Sequence, residues 1–138
     1  MSVDLAVQKA IRARLVATPA VTDLVPASSI LDRNARPAPR PGIVIGDAQV
    51  VDEGQSIART RSRVYHSLHV WKTEPSREGV KEIMAAIRAA IRSGRLDLGA
   101  GYHCIDWRVS NMRALSDPDG ESSHGVMTID CLVEEAAP

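Results

Sequence analysis

From residue 3 to residue 17 apolar side chains recur every four positions, at Val3, Val7, Ile11 and Leu15, with Lys9, Arg12 and Arg14 between them. That spacing predicts an amphipathic helix with Ser2 as N-cap, Asp4 favourable in the first turn and Pro19 closing it. Pro19 to Val25 reads as one more short turn, and Ile30, Leu31 and Asp32 as a brief strand. Ile43, Val44 and Ile45 open a longer strand that continues through Asp47 toward Val51, and the polar residues 52 to 58 form a hairpin tip. From Thr60 to Thr73 the period is two: Val64, His66, Leu68 and Val70 share one face, and Tyr65, Ser67, His69 and Trp71 the other.

Pro75 and Ser76 begin the clearest helix, in which Val80, Ile83, Met84, Ile87 and Ile91 form one stripe. Gly94 is its expected stop, with Arg88 and Arg92 near the negative end of the dipole. A strand from Tyr102 to Met112, a turn at Asp117-Pro118-Asp119-Gly120 and a strand from Ser123 to Glu134 complete the chain. Pairing the last two strands with residue numbers summing to about 236 sets Ile105, Trp107 and Val109 opposite Cys131, Ile129 and Met127. This register places Cys104 and Cys131 on opposite faces, which argues against a disulfide. The element order predicts an α+β fold: a largely antiparallel or mixed sheet with two main helices packed on one face.

Composition narrows the class. The 138 residues, 44% hydrophobic and 25% charged, suit one globular domain spanning 1–138. Two Trp, two Tyr and no Phe leave a core of aliphatic side chains, modest for this length, so association with partners is expected to add stability. Seventeen basic and seventeen acidic residues cancel, which disfavours nucleic-acid binding driven by net charge. No apolar run approaches the roughly 20 residues of a membrane helix, and no secretory signal is visible, so synthesis in the cytoplasm is expected.

Few residues carry recognisable chemistry. No phosphate loop, serine elbow or zinc HExxH motif is present. His66 and His69, three apart on a strand, point to opposite faces and do not converge on one ion. His103 beside Cys104 fails for the same reason. Cys131 with His124 and Asp130 has the letters of a nucleophile site, but Asp130 faces away from Cys131. The turn at 117–120 lacks the alternating ligands of a calcium loop. What remains is basic: Arg59, Arg61 and Arg63 at period two, and Arg33, Arg36 and Arg40 in a proline-rich loop. A binding or assembly module without catalytic, cofactor or metal residues is the expectation.

Four features in order resemble the tail-completion family of long-tailed phages, which includes the tail terminators of phages and gene transfer agents. They are the amino-terminal helix, the Pro-Arg-Pro-Gly-Ile-Val-Ile-Gly-Asp segment at 39 to 47, the Leu68-His69-Val70-Trp71 strand before an alanine-rich helix, and Asp117-Pro118-Asp119-Gly120 followed by His124-Gly125-Val126. The resemblance implies a structural virion protein: a homo-oligomeric ring, usually of six subunits, that caps the tail tube, ends its growth and meets the head-tail connector while DNA passes through. On this reading Arg33, Arg36, Arg40, Asp52, Glu53, Gln55, Arg59, Arg61 and Arg63 are the candidate interface residues. The alternatives are a connector or stopper of the neck and a small cytoplasmic ligand-binding α+β domain using His66, His69 or the cysteines.

Overall fold

In the computed structural model, which describes residues 1–54 and 57–136, helix α1 spans Val3–Val16 and buries Ala6, Val7, Ala10, Ile11 and Leu15. Ser2 occupies the N-cap, but its side chain makes no capping bond; its carbonyl accepts from the Ala6 N–H at 3.0 Å. Pro19 opens the short helix α2 (Pro19–Thr22), and a 3-10 turn at Ala27–Ser29 leads into strand β1 (Ile30–Leu31). Strands β2 (Gly42–Asp52) and β3 (Arg61–Thr73), helix α3 (Glu78–Arg92), and strands β4 (Tyr102–Ser116) and β5 (Ser122–Glu135) follow. The entry into β2 needs glycine, because the Pro39 carbonyl oxygen occupies the place a Cβ at residue 42 would take.

The five strands form one sheet in the order β1-β2-β3-β5-β4, antiparallel throughout except for the β1–β2 pair. Helices α1 and α3 lie on the same face, where Val64, His66, Leu68 and Val70 of β3 are fully buried. On that side His66 Nε2 lies 3.1 Å from the Asp4 carbonyl of α1, and Met84 of α3 covers Gly125 of β5. The predicted α+β architecture is therefore the observed one. Its core is aliphatic: Ile11, Leu15, Leu68, Ile83, Ile87, Ile91 and Ile129 are among the largest fully buried side chains, each contributing roughly 1.5–3 kcal/mol of burial.

Helix α3 starts at Glu78, later than Pro75-Ser76, because Glu74 reaches forward and takes its first free donors. The Gly79 and Val80 N–H groups donate to the Glu74 carboxylate at 3.0 and 3.1 Å. At the other end the cap is Ser93 in right-handed geometry, and Gly94 does not adopt a left-handed conformation.

The register expected for the last hairpin is corrected. Cys104 pairs with Val133, Trp107 with Cys131, Val109 with Ile129 and Met112 with Met127, with bulges at Cys104/Asp106 and Val109/Asn111. Each bulge inserts one residue into β4 and moves the pairing by one, so no constant sum describes it. The first bulge also turns the Cys104 side chain inward. Cys104 and Cys131 are both buried and adjacent, not on opposite faces, and both are free thiols. The hydrogen bond with Cys104, reinforced by burial, pushes the Cys131 thiol well up.

Candidate assembly interface

With both helices on one side, the other face of the sheet is open, and the predicted basic stripe lies there. Arg61 and Arg63 stand on β3, but Arg59 precedes the strand in a left-handed conformation with φ 55°. The stripe therefore has two members on the strand and a third in the turn. Each has an acidic partner within the chain: Arg59 with Asp52 at 2.8 Å, Arg61 with Glu134 at 2.9 Å, and Arg63 with Asp130 at 2.8 Å and Glu53 at 3.7 Å. The Arg61 bond comes first among the causes that hold the Glu134 carboxyl below its usual range, followed by the Thr60 hydroxyl. Gln55 lies outside the described residues.

Asp130 organises this face. Its side chain is 0% exposed although it sits on the helix-free side, and it accepts from both Arg63 and Arg108, the latter at 3.1 Å. Two cations from the strands flanking β5 cover one carboxylate, which satisfies its oxygens with charge-assisted bonds. Sequence spacing shows Asp130 only as facing away from Cys131. Its partners come from β3 and β4, which flank β5.

The proline-rich loop divides. Arg33 and Arg36 are exposed with no ion pair among the described residues, whereas Arg40 reaches the hairpin turn, 3.7 Å from Asp117 and 3.2 Å from Asp119. The Asp119 carboxyl is lowered to about 2, chiefly by the Glu121 N–H, with the Ser122 N–H and Arg40 adding to it. Arg40 also lies over the Trp71 ring at 5.4 Å. Trp71 stacks on His124, with centroids 3.8 Å apart and planes 6° apart, and His124 Nε2 lies 2.8 Å from His69 Nδ1. Burial, then the neighbouring His69, push the His124 imidazole below its ordinary range.

The loop segment at 39 to 47, the Leu68–Trp71 strand, the turn at 117–120 and His124 thus meet at one place, although they are far apart in sequence. The loop and the two strands beneath it wall an open cleft of about 680 Å³ lined by Arg36, Arg40, Val44, His69 and Trp71 among others. The arrangement is a stack of rings and one cation, Arg40, that ties the loop to the sheet. Among the described residues no group of three His, Cys, Asp or Glu side chains is placed to hold a metal ion. His66 and His69 point to opposite sides, as their spacing requires, and His103 is engaged by Arg95 at 3.1 Å. No described helix is long and apolar enough to cross a membrane.

Comparison with known proteins supplies the family. A chain of a native gene transfer agent virion superposes with a TM-score of 0.80 at 19% identity, covering 96% of this chain and 98% of that one. The bacteriophage SPP1 gp17 protein superposes with a TM-score of 0.63 at 21% identity, over 93% and 88% of the two chains. No curated protein matches by sequence. The family model of the tail completion protein gp17 matches residues 9–134, nearly the whole α+β fold described above, and the chain belongs to that family.

Proposed function

We propose that this protein is a tail terminator: a ring, of six subunits, that caps the tail tube at its head-proximal end, stops polymerisation and joins the tail to the head connector. The observation that carries the reading is the family match across residues 9–134, and the helix-free face of the sheet gives it a physical basis. A ring of identical subunits needs two different surfaces on each copy, repeated by rotation, with its two rims unlike each other. One rim fits the tube and the other does not, so growth ends. The balanced charge suits a passage that lets DNA slide rather than holding it by counterion release.

Arg33 and Arg36 are the cations in the proline-rich loop available to a partner's carboxylates. Arg40, Asp52, Glu53, Arg59, Arg61 and Arg63 contribute as paired charges that present a patterned surface, and Gln55 stays a candidate on the sequence alone. Electron microscopy of particles made without this protein tests the assignment. Tails of uncontrolled length support a terminator; normal but unattached tails identify a connector or stopper instead. Light scattering on the purified chain checks the ring, which predicts masses that rise with concentration to a defined oligomer.

A further inference from the structure

The sheet has two free edges, and they differ. Strand β1 covers only Ile43 and Val44 of β2, so Ala48–Asp52 has no neighbour on its outer side. At the opposite end β4 is an edge along its whole length, and beyond its second bulge the stretch Asn111–Ser116 runs in regular register with β5.

Backbone alternation gives the direction of the free groups. The Glu53 N–H donates to the Arg61 carbonyl at 3.1 Å, so with period two the N–H and C=O of Ala48, Val50 and Asp52 point away from β3. The Asp117 N–H donates to the Ser122 carbonyl at 2.9 Å, so those of Met112, Ala114 and Ser116 point away from β5. Each edge is thus a short, unbulged ladder half. Neither stretch contains proline or lysine, the usual protections of an exposed edge.

The side chains match as well. Val50 and Val51 on one edge are 45% and 40% exposed, and Met112 and Leu115 on the other are 43% and 39% exposed. Asp47, beside the first stretch, and Arg113, within the second, are exposed and have no ion-pair partner among the described residues. One edge therefore offers a spare negative charge and the other a spare positive charge.

The strands β2, β3, β5 and β4 alternate in sense and are even in number. When identical copies follow one another facing the same way, β4 of one meets β2 of the next in antiparallel sense, in which the alternating outward groups of the two stretches can exchange bonds.

Building on the ring proposed above, we infer that its subunits join edge to edge, with Asn111–Ser116 of one copy pairing with Ala48–Asp52 of a second copy so that the sheet continues from subunit to subunit. The contact is heterologous, which is what a ring requires.

The full-length protein tests this with Val50→Pro and Met112→Pro, which each remove an outward donor, and with the milder Val50→Lys and Met112→Lys. Association is expected to weaken at least tenfold in all four, with far-UV circular dichroism and melting of the subunit unchanged for the lysine variants. Chains carrying Val50→Cys mixed with chains carrying Met112→Cys or Ala114→Cys are expected to form mixed covalent dimers under oxidation, while each kind alone does not. Cross-linking of Val50→Cys chains to one another, or rings that form unchanged in every proline and lysine variant, overturns the edge contact and leaves the ring standing. Normal rings that fail only to bind the tube overturn it too, by assigning the edges to the tube. A wild-type chain that stays monomeric at all concentrations and in the presence of tail tubes overturns both the contact and the ring.

Discussion

The guanidinium of Arg14, in the last turn of α1, donates to the Ala90 carbonyl at 2.8 Å and so closes the C-terminal turn of α3 from outside. The same side chain donates to the Gly94 carbonyl at 3.0 Å and the Arg95 carbonyl at 2.8 Å. The Ala90 carbonyl also accepts from the Ser93 N–H at 3.3 Å and the Ser93 hydroxyl at 2.7 Å, and the guanidinium adds a positive charge at the negative end of the helix. It also ties the two helices that cover the sheet. Arg14→Ala is expected to cost about 1–3 kcal/mol in urea unfolding, the range for charge-assisted bonds to helix carbonyls. A change below experimental scatter would show that Arg88 and Arg92 suffice at that terminus.

Asp130 ought to matter more than the exposed ion pairs. Asp130→Ala leaves Arg63 without its closest acidic partner and is expected to cost about 2–4 kcal/mol, somewhat below the range for breaking a wholly buried pair, since the Arg108 side chain is 61% exposed. Arg59→Gln and Arg61→Gln, whose partners are solvated, should each cost about 0–1 kcal/mol. Denaturant midpoints of the three variants decide the order, and equal losses would remove Asp130 from its organising position.

His66 makes stability fall on the acid side. Burial pushes its imidazole below the ordinary range, while the hydrogen bond to the Asp4 carbonyl works the other way. As pH falls, the unfolded chain takes up its proton first, so stability held above about pH 6.5 is lost as pH drops toward the lowered folded value. His124 acts with the same sign. His66→Leu is expected to shrink the loss between about pH 7.5 and pH 5.5 without abolishing it. An unchanged pH slope would mean that the imidazole is already solvated.

The two thiols should resist reagents in the folded protein. Cys104 and Cys131 are 1% and 0% exposed, so labelling requires opening of the β4–β5 hairpin and should follow the unfolding equilibrium as denaturant rises. Labelling of either at the rate of a free thiol in native buffer would contradict their burial. The double variant Cys104→Ser, Cys131→Ala is expected to lose about 1–3 kcal/mol, from a buried hydroxyl and a small cavity.

The chain by itself determined whatever repeats over a few residues. The stripe of Val80, Ile83, Met84, Ile87 and Ile91 gave α3 its buried side, and the alternation from Ser62 to Val70 separated the covered and open faces of β3. Backbone geometry fixes these periods locally, so they are legible without knowing any partner. The tertiary structure decided what depends on which elements dock. Two bulges shifted β4 along β5 and brought Cys104 beside Cys131, and no residue type announces a bulge before its partner strand is known. The Arg14 cap joins residues 76 apart, and Asp130 receives cations from the strands on both of its sides. The free edges of β2 and β4 arise only from strand order, because a strand becomes an edge through what fails to pair with it.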